Sequence, residues 1–249
     1  MKNISAIIIA KNEEKKIAQA VRSLSFCSEI LVVNDESSDE TEKRAQEAGA
    51  QVVTKAKVDF AEQRNWAMSQ AKNEWVLFID ADEEVTNELQ TEIAKLQSED
   101  TVVAYSLPRR DFFWDTELKF GETQKARNTG IIRLMKKGSG SWVGAVHEVF
   151  VPTGEVKKLS GYINHNSHES LSSFIQDVNE YSTIRANELE KQGKKFSLLE
   201  LIFLPFVKFI YTYFILGGLF DGAAGFVYSF VMSFHSFLVR AKLATKLYV

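Results

Sequence analysis

Trp75-Val76-Leu77-Phe78-Ile79-Asp80-Ala81-Asp82 is an unbroken apolar run that ends on two aspartates two positions apart. A short continuous apolar run suits a buried strand of a sheet covered by helices. The residues before it repeat the pattern. Ala6 to Ala10 is a β-branched apolar run, after which Asn12 is placed to cap a helix carrying Ile17, Val21 and Leu24 at helical spacing. Ile30 to Val33 is a second such run, and Ser37 with Glu40 has the spacing of a capping box for a helix ending near Gly49. Gln51 to Thr54 reads as a strand and Phe60 to Ala71 as a helix. This alternation predicts an α/β fold with a mostly parallel sheet, right-handed crossovers and helices on both faces.

In such sheets ligands bind beyond the carboxyl ends of the strands. The residues there are Lys11, Asn12 and Glu13, then Asn34 and Asp35, then Asp80, Ala81 and Asp82. A hard divalent cation takes oxygen ligands, and Mg²⁺ commonly takes one or two carboxylates while phosphates and water complete its shell. Asp80 and Asp82 offer that half-filled shell. An isolated Asp-x-Asp triplet serves equally well as a turn or cap, and it is the strand-end position that favours the metal. Asp35 is placed to accept a hydrogen bond from a pyrimidine N–H, and the helix start behind it favours anions. Ser37, Ser38 and Asp39 read as the capping loop itself.

The 249 residues suffice for one large α/β domain and a helical appendage. A formal net charge of −3 gives no basic footprint for nucleic acid, so no nucleic-acid partner is expected. The single cysteine, Cys27, cannot form an internal disulfide and suits a reducing compartment. The segment behind Met1-Lys2-Asn3 does not have the pattern of a secretion signal. No Gly-x-Gly-x-x-Gly, Gly-Lys-Ser/Thr or Gly-x-Ser-x-Gly occurs, which argues against dinucleotide, P-loop and α/β-hydrolase chemistry. Beyond a helix with Leu89, Ile93 and Leu96 on one face, the alternation is expected to loosen into irregular segments. These carry Phe112, Phe113, Trp114, Phe120 and Trp142, which should shape the pocket of a second substrate.

Four segments in this order resemble the family 2 inverting glycosyltransferases of the GT-A fold. They are Ile8-Ile9-Ala10-Lys11-Asn12-Glu13, Val33-Asn34-Asp35-Glu36-Ser37-Ser38-Asp39-Glu40-Thr41, Gln63-Arg64-Asn65 and Leu77-Phe78-Ile79-Asp80-Ala81-Asp82-Glu83. A looser likeness continues through Ile132-Arg133-Leu134-Met135 and Val146-His147-Glu148, and within the family it is similar to the bacterial lipopolysaccharide-core glucosyltransferase-like subgroup. The resemblance implies a GT-A catalytic domain over 1–170 and a UDP-sugar donor, with UDP-glucose expected. It places Ala10, Asn12, Glu13 and Asp35 around the nucleoside, Arg64 near the diphosphate or sugar, and Asp80 and Asp82 at the ribose and the metal-bound diphosphate. Mg²⁺ or Mn²⁺ is the implied cofactor, with Asp82 the more direct ligand and His165 a further one. Asn34 stands where aspartate is frequent in the family, and Glu36 where glycine is frequent.

Inverting transfer needs a base for the acceptor hydroxyl, and the resemblance points to Glu148; the alternative is a surface glutamate in a hairpin. A polar helix from about Ser172 to Gln192 opens the C-terminal region, 171–249. Leu198 to Leu219 is apolar except for Glu200, Lys208 and Thr212, and Ala223 to Val239 is apolar again, with the turn-like Gly217 to Ala223 between them and Lys208, Arg240, Lys242 and Lys246 as the cations that could meet anionic phosphates. Each segment is borderline for a bilayer span, so interfacial helices, a packed hairpin and two true spans are all open. The expected function is transfer of a sugar to a lipid-linked saccharide, such as lipopolysaccharide core or another cell-envelope glycan, at the cytoplasmic face of a membrane. Its rivals are a catalytically silent sugar-nucleotide- or membrane-binding protein and a sugar-phosphate nucleotidyltransferase.

Overall fold

The computed structural model describes residues 3–96, 101–144, 148–168 and 170–245. Strand β1 (Ile4–Ala10) leads through α1 (Ile17–Ser23) to β2 (Glu29–Asn34), then α2 (Thr41–Glu47), β3 (Gln51–Thr54), α3 (Phe60–Gln70) and β4 (Trp75–Asp80). After β5 (Glu83–Val85) and α4 (Asn87–Lys95) come β6 (Val102–Leu107), β7 (Arg109–Phe113), β8 (Thr116–Leu118) and the short α5 (Gln124–Thr129). Strands β9 (Ile131–Lys136), β10 (Gly140–Val143), β11 (Val149–Pro152), β12 (Glu155–Lys158) and β13 (Ile163–His168) follow. Three helices come last, α6 (Leu171–Lys191), α7 (Leu198–Ile210) and α8 (Gly222–Thr245), with a π turn at Tyr211–Ile215 and a 3-10 turn at Gly218–Asp221 before α8.

The chain packs as two compact units, Met1–Arg109 with Ala126–His165, and Arg110–Lys125 with Asn166–Val249. Composition alone divides the chain at 170; the second unit also takes in 110–125. The first unit is built on a sheet of order β12-β6-β9-β4-β1-β2-β3. β1 runs parallel to β2 and β4, β2 to β3 and β6 to β12, whereas β9 is antiparallel to both β4 and β6. Both faces are buried, as the continuous apolar runs require. Ile8, Leu77 and Ile79 pack with Val21 of α1 and Leu89 and Ile93 of α4, while Ile7, Val33 and Phe78 pack with Ala67 and Met68 of α3 and with Trp142 and Phe150.

Three expectations are corrected. Asn12 does not cap α1: its backbone lies in the left-handed region (φ 55°), and its Oδ1 accepts the Ser38 N–H at 2.8 Å. Ser37 and Glu40 form no capping box, because Ser37 Oγ accepts the Asn12 N–H at 3.0 Å and Glu40 makes no side-chain cap to α2. The Asn12 and Ser37 side chains stitch the β1 and β2 loops to each other rather than closing their own helices, whereas Asp39 does both, accepting the Glu14 N–H across the loops and the Thr41 N–H at the start of α2. Nor is the second half irregular. It forms short antiparallel strands, among them the β10–β11 and β7–β8 pairs, each of three to five residues and too short to announce itself as a strand.

The second unit has its own core, in which Phe113 and Leu118 from the β7–β8 hairpin meet Phe174 and Val178 of α6 and Ala224 and Val231 of α8. Of the aromatics expected in a substrate pocket, Trp142 alone belongs to the first unit; Phe113 is core here, and Phe120 packs on Phe220 at 5.5 Å.

Glu36, at φ 52°, pays the left-handed strain that glycine avoids, about 1–2 kcal/mol for a residue with a β-carbon. Glu36→Gly should therefore melt higher than the parent and Glu36→Val lower, since a β-branched residue tolerates this region least. Thermal melts of the three chains give the order.

Candidate active site

The parallel register brings the three polar clusters together. Ala10 pairs with Asn34 and Ile9 with Asp80, so β1, β2 and β4 end side by side where the strand order reverses. Asp35 is buried at this edge. Its N–H donates to the Ala10 carbonyl at 2.9 Å, its Oδ1 accepts the Lys57 N–H at 2.7 Å, and its Oδ2 lies 3.3 Å from Lys11 Nζ. Asn34 accepts the Ser37 N–H at 2.9 Å and donates Nδ2 to Glu42 Oε2 at 3.2 Å. An aspartate at 34 would set two carboxylates against each other, which accounts for the amide. Glu13 N–H donates to Thr41 Oγ1 at 2.7 Å, so the first two loops form one hydrogen-bonded rim.

Two arginines converge on Asp80. Arg64, on α3, donates Nη2 to Asp80 Oδ1 at 2.8 Å and Nε to Glu148 Oε1 at 2.7 Å, and its guanidinium lies 4.7 Å from the centre of the Trp142 ring. Arg133, in the middle of β9, donates Nη2 to Asp80 Oδ2 at 2.5 Å and to Glu83 Oε1 at 3.2 Å. Glu83 is wholly buried; its Oε2 accepts the Asp80 N–H at 3.0 Å, and Arg109 Nη1 approaches its Oε1 at 3.4 Å. Burial by itself would raise the Asp80 carboxyl, but the charges of Arg133 and Arg64 outweigh it and hold Asp80 well below the usual carboxylate range. Arg133 is held charged in turn: burial works against its charge, and Asp80 and Glu83 more than compensate.

Asp82 has a different partner. β13 pairs with β5 so that His165 stands opposite Glu83, and this sets His165 Nε2 3.3 Å from Asp82 Oδ2. Burial pushes the Asp82 carboxyl up, and the His165 charge and hydrogen bond bring it below its ordinary value. Ligands at about 2.1 Å on adjacent corners of an octahedron stand about 3 Å apart, close to this separation. Among the described residues no group of three or more His, Cys, Asp or Glu converges on a metal position, so this oxygen–nitrogen pair fits a cation whose other ligands come from substrate. Asp80 has both oxygens committed to guanidinium groups, unlike Asp82.

Asn65 fixes the far side of the site: its side-chain amide exchanges two hydrogen bonds of 2.9 Å with the backbone N–H and carbonyl of Trp142. A cleft of about 760 Å³ opens there, lined by Asp59, Glu62, Asn65, Trp66 and Trp142. Val146 and His147 of the Val-His-Glu motif lie outside the described residues. His168 bonds Asp177 in the second unit at 3.1 Å. Sequence reasoning assigned no role to Arg133 or Glu83. The signal was present: a cation in the middle of the apolar strand Ile131-Ile132-Arg133-Leu134-Met135 needs a buried partner.

The architecture is that of the GT-A fold. The sequence profile of Glycosyl transferase family 2 matches residues 5–171, and the chain belongs to that family and is a glycosyltransferase. It is 34% identical to an uncharacterized glycosyltransferase of Rickettsia typhi, over 98% of this chain and 87% of that one. It is 30% identical to the lipopolysaccharide core biosynthesis glycosyltransferase LpsC of Rhizobium meliloti, over 96% of this chain and 91% of the relative. Among solved structures, a mycobacterial protein superposes over 74% of each chain with a TM-score of 0.51 at 17% identity, a likeness of fold.

Arg133→Met leaves Glu83 and Asp80 each short of a buried counter-charge. Removing one member of such a network costs about 3 kcal/mol, the lower end of the usual range because the Asp80 side chain is 32% exposed. The melting temperature should fall by about 6–12 °C.

Proposed function

We propose that the protein is an inverting, divalent-metal-dependent hexosyltransferase that moves a sugar, with UDP-glucose the expected donor, to a lipid-linked saccharide such as lipopolysaccharide core or another cell-envelope glycan. The observation that carries this reading is the placement of one guanidinium, Arg64, between the candidate base Glu148 and the strand-end carboxylate Asp80. The relation to LpsC over nearly the whole chain supports the choice of acceptor.

In this reading Ala10, Asn12, Glu13 and Asp35 receive the nucleoside, with Asp35 accepting from the base. Asp82 and His165 hold Mg²⁺ or Mn²⁺, which when bound offsets the charge that grows on the departing diphosphate. Asp80 keeps Arg64 beside the donor. Arg64 occupies Glu148 Oε1, so Oε2 takes the proton of the acceptor hydroxyl as its oxygen bonds to the anomeric carbon and the bond to the diphosphate breaks. The products are UDP and the lengthened glycan, with inverted configuration. The cleft between α3 and β10, lined by Trp66 and Trp142, is the proposed acceptor side.

A donor panel read by release of UDP or GDP, with Mg²⁺ or Mn²⁺, tests the class. Slow metal-dependent release from one UDP-sugar is expected, and tight binding with no release would make the protein a silent module. Asp82→Asn should lose metal-dependent turnover while keeping its fold. Glu148→Gln should bind donor normally and transfer at least ~10²-fold more slowly. A collapse of donor affinity in Glu148→Gln would instead make Glu148 a binding residue.

The second unit is proposed to hold the enzyme on the cytoplasmic face of the membrane. Phe206, Phe214 and Phe220 are exposed aromatic side chains on it. Each buried aromatic contributes about 1.5–3 kcal/mol of attachment, so Phe206→Ser, Phe214→Ser and Phe220→Ser together should cut liposome flotation at least ~10-fold while leaving UDP release intact. Substitution is the cleaner test, because truncation of α8 would uncover Phe113 and Phe174.

A further inference from the structure

By length and composition Leu198–Ile215 and Gly218–Thr245 could each cross a bilayer, and only 6% of the first is buried. The turn between them, however, is sewn to another part of its own unit. Asp221 accepts the backbone N–H groups of Lys119 at 3.1 Å and Phe120 at 3.0 Å, and the Gly121 N–H donates to the Leu216 carbonyl at 3.0 Å. Glu122 forms an ion pair with Lys208 of α7. The start of α8 sits directly on the turn: a β-carbon at Gly225 would stand 2.1 Å from the Gly218 carbonyl oxygen.

The segment that holds the turn is polar, with Arg110, Asp111, Asp115, Glu117, Lys119 and Glu122. It leaves and re-enters the α/β unit at Arg109 and Ala126. Were the turn on the far side of a bilayer, residues 119–122 would have to cross with it and return, in stretches neither apolar enough nor long enough to do so. The other end of the hairpin gives the same answer. Lys242 of α8 donates to Asn179 Oδ1 at 2.8 Å, Ser182 Oγ at 2.8 Å and Thr183 Oγ1 at 2.7 Å on α6. Helix α6 carries Asp177, Glu180, Arg185 and Glu188, so a spanning α8 would draw ionised side chains into hydrocarbon.

What the hairpin offers is one apolar surface. Phe203, Phe206, Phe214, Phe220 and Phe230 are each more than half exposed. The two charges within Leu198–Ile215 are neutralised, Glu200 by Lys194 at 2.6 Å and Lys208 by Glu122. Lys191 and Lys195 stand at the α6–α7 turn, where anionic headgroups would meet them. Building on the membrane reading above, we infer that α7 and α8 lie as a hairpin in the interface of a single leaflet of an anionic bilayer, with both ends and the Gly217–Gly222 turn on the cytoplasmic side.

The test uses the full-length chain in a bacterial host with Cys27→Ala and one new cysteine, either Ala223→Cys beside the turn or Lys195→Cys before α7. Ala223 and Lys195 are both exposed. A membrane-impermeant maleimide is applied to intact and to opened spheroplasts. With the protein in the membrane pellet, neither site should react in intact spheroplasts, and Lys195→Cys should react at least ~10-fold more once they are opened. Reaction of Ala223→Cys in intact spheroplasts, with Lys195→Cys still protected, would mean two spans and overturn the hairpin while leaving membrane attachment standing. Recovery of the protein in the soluble fraction would remove the membrane reading itself, and the hairpin with it.

Discussion

Asp80 is a carboxylate gripped by two guanidinium groups, and the rest of the site is arranged around that grip. Arg64 can bridge to Glu148 because Asp80 holds its other edge, and Arg133 can lie inside β9 because Asp80 and Glu83 both answer its charge. Among the described residues, Arg64, Arg109 and Arg133 pair with Asp80, Glu83 and Glu148, so these ion pairs balance one another. A balanced cluster has no spare positive charge for an arriving diphosphate. On the proposed mechanism that charge is supplied beside the cluster, at Asp82 and His165, instead of by loosening an ion pair whose disruption would be costly.

The grip also explains why the two aspartates of one short motif take separate parts. Asp80 is the last residue of β4 and lies in register beside β1, within reach of β9 and α3. Asp82 falls two residues later, where β5 begins and where β13 delivers an imidazole. Their spacing spans a strand end, and the change of neighbour across that end sets one carboxylate in a salt network and leaves the other to a softer partner.

The strands of the parallel half were legible because strands buried on both faces are written as unbroken apolar runs, and Ala6 to Ala10, Ile30 to Val33 and Trp75 to Ile79 are such runs. The strand-end residues followed from them. The antiparallel half was not legible, since β10 and β11 expose alternate residues and have only four residues each. Local rules also misplaced the caps. Asn12 and Ser37 have the chemistry of helix starts, yet they bond across between two loops, a pairing that spans about 25 positions and has no local signature, while Asp39 serves both the Thr41 N–H at the start of α2 and the Glu14 N–H of the other loop. Arg133 was visible as an anomaly but uninterpretable alone, because its partners come from β4 and β5.

The Asp221 tether reaches into how this enzyme could diversify. The helical unit is assembled from two separate stretches of chain, and the shorter one, 110–125, is embedded in the coding sequence of the catalytic unit. A gene fusion that exchanged only the C-terminal helices would bring in a turn without the backbone amides of Lys119 and Phe120 to receive its aspartate. Recombination between relatives must therefore carry both stretches or neither. Residues 110–125 and the C-terminal helices are thus coupled as one inherited piece, although part of the catalytic unit lies between them in the chain.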